Sequence, residues 1–185
     1  MIKSKKDLKE YLLADKINLG FKKNDYPIIG KEIWKFQISL RYLEYYTNVS
    51  KIPGGSIARA LWKYINHHYS LKLGFTIPVN TFGKGLNIHH YGCIVVNDNA
   101  RVGENCNIQQ CVNIGQNYGA ENVPVIGNDV YIGPGAKLFG RITIADGCAI
   151  GAGAVVTKSF EIPNTVIVGN PAKAIGVRKL PVYFK

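Results

Sequence analysis

The chain is short of acid. Its 185 residues hold 12 Asp and Glu against 23 Lys and Arg, a formal net charge of +11. It also lacks any apolar run of the roughly 18 residues that a spanning helix requires, so no transmembrane segment is expected. The opening MIKSKKDLKE is charged, with no apolar stretch behind it, and gives no sign of a secretory signal. Cysteine is scarce: Cys93, Cys106, Cys111 and Cys148 show neither CxxC spacing nor a disulfide framework. A reduced, cytoplasmic protein with free thiols is therefore expected. With 46% hydrophobic and 19% charged residues, the composition is that of a globular chain, not a disordered one.

The positive charge is unevenly placed. Residues 1–74 hold 14 basic and 6 acidic residues, residues 75–170 hold 5 and 6, and residues 171–185 hold 4 and none. No helix-turn-helix, zinc-finger or RNA-binding aromatic signature accompanies this charge, so nucleic acid is not expected as a partner. A basic flank also suits a polyphosphate cofactor or an anionic membrane surface.

Composition divides the chain into an α-helical region at 1–74, a repeat region at 75–170 and a tail at 171–185. In the first, Leu8, Leu12, Leu13 and Ile17 recur at helical spacing over Lys5–Ile17. Pro27 is placed to open a second helix through Ile33, Trp34, Phe36, Leu40 and Tyr46. After Pro53-Gly54-Gly55, Ser56 is expected to cap a third helix that ends at Gly74. His67 and His68 are neighbours on that helix, about 100° apart, and read as structural histidines and not as a shared metal site.

From residue 75 a six-residue rhythm takes over. Aliphatics stand at Val96, Val102, Ile108, Ile114, Ile126, Ile132, Leu138, Ile144, Ile150 and Val156. Gly103, Gly115, Gly127, Gly133 and Gly151 follow many of them directly and are expected to allow tight turns. Ala100, Cys106, Val112, Val130, Ala136, Ile142, Cys148 and Ala154 stand four residues on. Six residues turn a helix through about 600°, so no helical face holds this period. A solenoid of short flat strands does. The polar stretch Gln116–Pro124 is expected to loop out, although Ile114 to Ile126 keeps the phase.

These repeats, with Gly85–Val96 and Ile167–Lys173, resemble the hexapeptide-repeat acyltransferases, and within them the serine acetyltransferases and related polysaccharide-cluster O-acetyltransferases. The resemblance implies a left-handed parallel β-helix, a homotrimer, and acetyl-CoA bound in a groove between neighbouring β-helices. It places the catalytic base on His90, which six-residue counting puts at an interior-type position. It places acetyl-CoA at Gly133, Pro134, Ala152, Thr157 and Lys158, with Lys158, Lys173 and Arg178 facing its phosphates. His89, Asn97 and Tyr118 are the acceptor-binding candidates, with Asn80, Asn87 and Asn117 behind them.

Three departures bear on the acceptor. The serine acetyltransferases carry an Asp directly before the catalytic His, another fifteen residues earlier that orients it, and Arg-His-Pro in the loop. This chain has His89, Phe75 and Asn122-Val123-Pro124 there, leaving Glu104 or a backbone carbonyl to orient His90. A neutral sugar hydroxyl is thus the favoured acceptor, and serine is the alternative. The end Val182-Tyr183-Phe184-Lys185 also lacks the Ile tail that serine acetyltransferases often carry. A zinc-dependent carbonic anhydrase of the same coil would need three histidines, and the repeat region has two, so no metal is expected.

Overall fold

The computed structural model describes residues 1–22, 24–49 and 53–179, so the last residues of the tail, including 182–185, lie outside the described residues. Three helices come first: α1 (Lys5–Asn18), α2 (Glu32–Asn48) and α3 (Gly55–Leu73). Ser4 caps α1, its Oγ accepting from the Asp7 N–H at 3.1 Å. Only Leu8 of the expected α1 stripe is fully buried, while Leu13 and Ile17 are exposed. Helix α2 begins at Glu32 after a non-helical stretch that contains Pro27, so that proline opens no helix. Helix α3 is capped by Gly54 at φ 70°, which puts Ser56 inside the first turn. It ends at Gly74, whose φ of 74° is easy only for glycine.

Among the described residues fourteen strands follow. They are β1 (Phe75–Thr76), β2 (Asn87–Ile88), β3 (Ile94–Val96), β4 (Arg101–Val102), β5 (Asn107–Ile108), β6 (Asn113–Gly115), β7 (Val125–Ile126), β8 (Tyr131–Ile132), β9 (Lys137–Phe139), β10 (Thr143–Ile144), β11 (Ala149–Ile150), β12 (Val155–Val156), β13 (Thr165–Val168) and β14 (Lys173–Val177). They form three sheets, the faces of a prism. Face A is β1-β3-β6-β9-β12, face B is β10-β7-β4 and face C is β14-β13-β11-β8-β5-β2. All pairings are parallel except that of β13 with β14. The chain visits C, A and B in turn, and the architecture is a left-handed parallel β-helix preceded by helices.

Each regular coil is three hexapeptides. Val125 pairs with Thr143, Tyr131 with Ala149 and Lys137 with Val155, always 18 residues on. The ten interior aliphatics from Val96 to Val156 are no more than 5% exposed, and the small residues four positions later are buried with them. Two coils are longer. Arg101 pairs with Val125 and Asn113 with Lys137, 24 residues on, so one whole hexapeptide is looped out between β6 and β7. Asn87 pairs with Asn107, 20 residues on, so two extra residues lie between β2 and β3.

The repeated glycines serve stacking more than turning. A Cβ on Gly103 would stand 2.7 Å from the Gly127 carbonyl group, and one on Gly133 2.8 Å from the Ala152 nitrogen, on the next coil. The left-handed turn residues come two positions later, at Asn105, Cys111, Asp129, Gly135, Gly147 and Gly153. Both corners flanking face C use them.

The helices share the solenoid's core. Phe36 and Leu40 of α2 and Leu73 of α3 join the buried cluster of the coils, with Phe36 edge-on to Phe75 at 5.2 Å. A buried ion cluster ties them to the first coil. Arg41 donates to Asp15 at 2.8 Å, to Glu44 at 3.0 Å and to the carbonyls of Phe82 and Gly83 at 3.0 and 2.7 Å. Asp15 also accepts from the Gly85 and Leu86 N–H groups at 2.8 and 2.9 Å.

Two thiols are buried, those of Cys106 and Cys148, and two are exposed, those of Cys93 and Cys111. Burial pushes the Cys106 thiol from 9.0 up to about 12. An aromatic disulfide reagent at mild pH should therefore titrate Cys93 and Cys111 in the folded protein and all four after unfolding. Because the raised value belongs to the folded state, the stability it contributes is complete below pH 9.0 and is lost as pH climbs toward about 12. A urea-midpoint series across that range reads it.

Candidate active site

The two-residue excess between β2 and β3 makes a bend, His89–Gly92, at the corner between faces C and A. Its near side is anchored by His89 N–H on the Ile108 carbonyl at 3.3 Å. Its far side is anchored on the end of α3, with Gly92 N–H on the Leu73 carbonyl and Ile94 N–H on that of Gly74, both at 3.1 Å. The excess also explains where His90 goes. Ile88 holds the interior position of β2 and Val96 that of β3, eight residues apart instead of six, so His90 is exposed and not interior.

His90 makes no hydrogen bond among the described residues. Its neighbour His89 has Nε2 3.2 Å from Asn107 Oδ1, and the two rings are 6.3 Å apart. Glu104 lies at the B–C corner, 3.8 Å from Lys84, and not beside His90. Phe75, at the position of the orienting Asp, is a core residue.

The corner that carries His90 continues down the prism. Gly135 N–H bonds the Gln110 carbonyl at 2.9 Å and Gly153 N–H bonds that of Pro134 at 2.8 Å. Gln110, Gly133-Pro134 and Ala152 thus stack on successive coils below the His90 bend, each step about 4.8 Å. The sequence reading missed Gln110. A Cβ on Gly92 would stand 3.2 Å from its Cβ, and its Oε1 is buried without a partner. Its only signal in the sequence is its phase, one position before the left-handed Cys111.

Face A separates this column from a second group. Its outward residues, in register, are Thr76, Val95, Asn113, Lys137 and Val155. At its other edge, the A–B corner, are Asn97, Tyr118, Thr157 and Lys158. Asn97 Nδ2 donates to Gln116 Oε1 at 3.2 Å, Tyr118 is 95% exposed on the looped-out hexapeptide, and Lys158 Nζ lies 5.6 Å from the Phe160 ring centre. The candidate residues therefore flank face A along both edges: His90, Gly133, Pro134 and Ala152 on one, Asn97, Tyr118, Thr157 and Lys158 on the other. Lys173 is exposed on β14.

Other candidates have structural employment. Arg178 is buried, and its guanidinium donates to the carbonyls of Asp129 and Gly147 at 2.6 and 3.0 Å. Asn80 bonds Asn48 and Glu44, and Asn87 donates to the Asn18 carbonyl at 2.6 Å. His67 and His68 are exposed on α3. Beside the bend, a cavity of about 230 Å³ opens between His89, Tyr91, Asn87 and the start of α2, where Lys31, Glu32 and Trp34 line it. Among the described residues no three His, Cys, Asp or Glu side chains are grouped to hold a metal. No helix among them is long and apolar enough to cross a membrane.

A family model, "Bacterial transferase hexapeptide (six repeats)", matches residues 124–158. The chain is 39% identical over 106 residues to "Serine acetyltransferase 3, mitochondrial" of Arabidopsis thaliana, covering 56% of this chain and 27% of that one. The crystal structure of the serine acetyltransferase from Brucella abortus strain S19 superposes with a TM-score of 0.74 at 25% identity, over 92% of this chain and 69% of that one. The soybean serine acetyltransferase complexed with serine gives 0.70 at 25% identity, over 92% and 70%. The chain spans about a quarter to a half of the length of the curated relatives it matches. It is a hexapeptide-repeat β-helix protein whose resemblance, in sequence and in fold, is to the serine acetyltransferases.

Proposed function

We propose that the chain is an acetyl-CoA-dependent O-acetyltransferase, working in the cytoplasm, with L-serine as acceptor. The observation that carries this reading is the exposed, unbonded imidazole of His90 at the head of a corner lined by Gly133, Pro134 and Ala152. The acceptor rests on the relatives, which are serine acetyltransferases. The sugar acceptor favoured by the sequence finds no support among them. It is kept as the second reading on one specific ground: His89 and Asn122-Val123-Pro124 stand where the resemblance expects groups that hold an amino acid's charged ends.

In this mechanism His90 takes the hydroxyl proton as the oxygen attacks the thioester carbonyl. The tetrahedral oxyanion collapses, the C–S bond breaks, and the imidazolium returns the proton to the departing CoA thiolate. Small residues along the corner let the pantetheine lie against the coil, and Thr157 and Lys158, on the other edge of face A of a neighbouring β-helix, meet its polar end with Lys173. Holding both substrates beside His90 offsets much of the entropic barrier. His89 contacts the acceptor from the His90 corner, and Asn97 and Tyr118, on the other edge of face A, reach it from a neighbouring β-helix. A single chain leaves His90 open to solvent, and a neighbouring β-helix in a homotrimer closes the groove; sedimentation velocity should show a species of three chains.

Release of free CoA, measured with L-serine and with a panel of sugars, tests the reading. Turnover with serine supports it, turnover with a sugar alone moves the assignment to the second reading, and no turnover with any hydroxyl acceptor overturns the activity. Cys93 lies three residues from His90 and is exposed. Direct transfer needs no acetyl-cysteine, so Cys93→Ala should keep turnover within about twofold, far below the loss expected for a catalytic nucleophile. Trapping of acetylated Cys93 would replace the direct step.

A further inference from the structure

Two thiols share one corner of the prism. Cys93 stands three residues before the interior Val96 of β3, and Cys111 three before the interior Ile114 of β6, so both take the same position at the corner between faces C and A. They lie on consecutive coils and in register. Val95 pairs with Asn113 and Val96 with Ile114, and two steps back along both coils set Cys93 beside Cys111. The rungs still run together one residue further back, where a Cβ on Gly92 would meet the Gln110 Cβ at 3.2 Å. Both cysteines are exposed, whereas Cys106 and Cys148 are buried. The column continues as Gly74 on one side, where a Cβ would meet the Cys93 nitrogen at 3.6 Å, and as Gly135 on the other.

The spacing suits a bond that forms under strain. Rungs of a parallel ladder are about 4.8 Å apart, inside the range of about 4.4–6.8 Å over which Cα atoms are bridged by a disulfide. The Cβ atoms of a ladder stand as far apart as its rungs, while a relaxed disulfide holds them at about 3.8 Å, so closure draws the two coils together by about 1 Å. Cys111, at φ 60°, already holds a backbone conformation that costs an L-residue energy. A strained disulfide at an exposed corner is readily reduced again, which suits a reversible pair and not a structural cross-link.

We propose that Cys93 and Cys111 form a reversible disulfide that ties the His90 bend to the coil below it. One cysteine thiolate attacks a small disulfide, forms a mixed disulfide and releases one small thiolate. The other cysteine thiolate attacks the protein sulfur of that mixed bond and releases the second. The two cysteines give up two protons and two electrons, and the small disulfide is reduced to two thiols. The tie falls at the corner along which the pantetheine lies in the proposed function, and it pulls on the bend that carries His90. Oxidation therefore switches turnover off and a dithiol restores it. That consequence rests on the acyl-transfer reading; the bond itself does not.

An aromatic disulfide applied to the folded, full chain tests the bond. Two aryl thiolates should leave per chain and none should be retained, so the chain loses the mass of two hydrogens. After proteolysis, Cys93 and Cys111 should lie in one cross-linked species. Two retained aryl groups, or a cross-link between chains, overturn the proposal. Cys93→Ser and Cys111→Ser should each retain one aryl group instead; both side chains are exposed, and unchanged melting by circular dichroism certifies the fold. Oxidised protein freed of reagent should release CoA about 10²-fold more slowly, the scale of a small misplacement at a reacting centre, and dithiothreitol should restore the rate. The double variant, treated alike, should keep its rate. Undiminished turnover by the cross-linked chain overturns the switch. A chain that turns over no acceptor before oxidation fails the acyl-transfer reading alone, because mass decides the bond.

Discussion

Replacing His90 by alanine lowers kcat by about 10²–10⁴-fold, the range that a positioned general base supplies. CoA release under saturating acetyl-CoA and acceptor measures it. The loss falls on kcat because the imidazole is needed when the proton leaves the hydroxyl. The KM for acetyl-CoA should move little, because the donor is held along the corner by residues on later coils. Stability should not change, since His90 is exposed and bonded to nothing among the described residues. That combination separates a catalytic group from a structural one. A buried turn histidine bonded to the backbone would lose stability and spare the rate. Turnover like that of the unaltered protein removes His90 from the mechanism.

The second large effect is on folding. Arg41→Met leaves the carboxylates of Asp15 and Glu44 buried without their cation, at a cost of about 3–5 kcal/mol. Burial alone disfavours the guanidinium's charge, but Asp15 and Glu44 outweigh it, and the net effect holds Arg41 more firmly protonated than a free arginine. Four acceptor groups surround it: two carboxylates and the carbonyls of Phe82 and Gly83. Arg41→Lys keeps the charge but loses the planar fork that reaches all four, so it should be destabilised as well. Urea unfolding followed by far-ultraviolet circular dichroism reads both. A shift within about 0.5 kcal/mol for Arg41→Met, the size of an ordinary surface change, would mean that the cluster is not what joins helices to coils.

Much of this structure was visible in the spacing of residues. The aliphatics from Val96 to Val156 announce the solenoid because a strand-and-corner unit of six residues is the only way to turn each of them inward. The loop at 116–123 shows in its polar composition alone, because it adds one full period between Ile114 and Ile126 and leaves phase untouched. What stayed hidden has physical reasons. The excess of two between Ile88 and Val96 does break phase, but counting back by six from Val96 lands on His90 and takes it for an interior position. Gly103, Gly127 and Gly133 look like turn glycines, yet the coil packed beneath each one leaves no space for a Cβ. The turns themselves fall on Asn105, Cys111 and Asp129, residues that only partly advertise a left-handed conformation. Arg41 was invisible as a core residue because a cation on an amphipathic helix is ordinarily solvated, and its partner Asp15 lies on a different helix. Pro27 sits too far before Glu32 to cap it. At the candidate site, the resemblance supplied His90. The bend that exposes it, and the unsatisfied Gln110 below it, arise only from how the coils stack.

The antiparallel strand β14 has a consequence for assembly. A stack of parallel coils has no inherent end: its last rung offers unpaired amides that would template another rung from another molecule, and repetition of that step makes a fibre. Here the final ribbon runs backward along β13 and is polar or charged at Lys173. The last strand of face A is likewise occupied, with Val155 N–H on the Gly169 carbonyl and the Ala172 N–H on the Val155 carbonyl. At the opposite end three helices roof the first rung. Among the described residues the helices and β14 cover the two ends of the stack, which directs association sideways, onto the flanks of the prism.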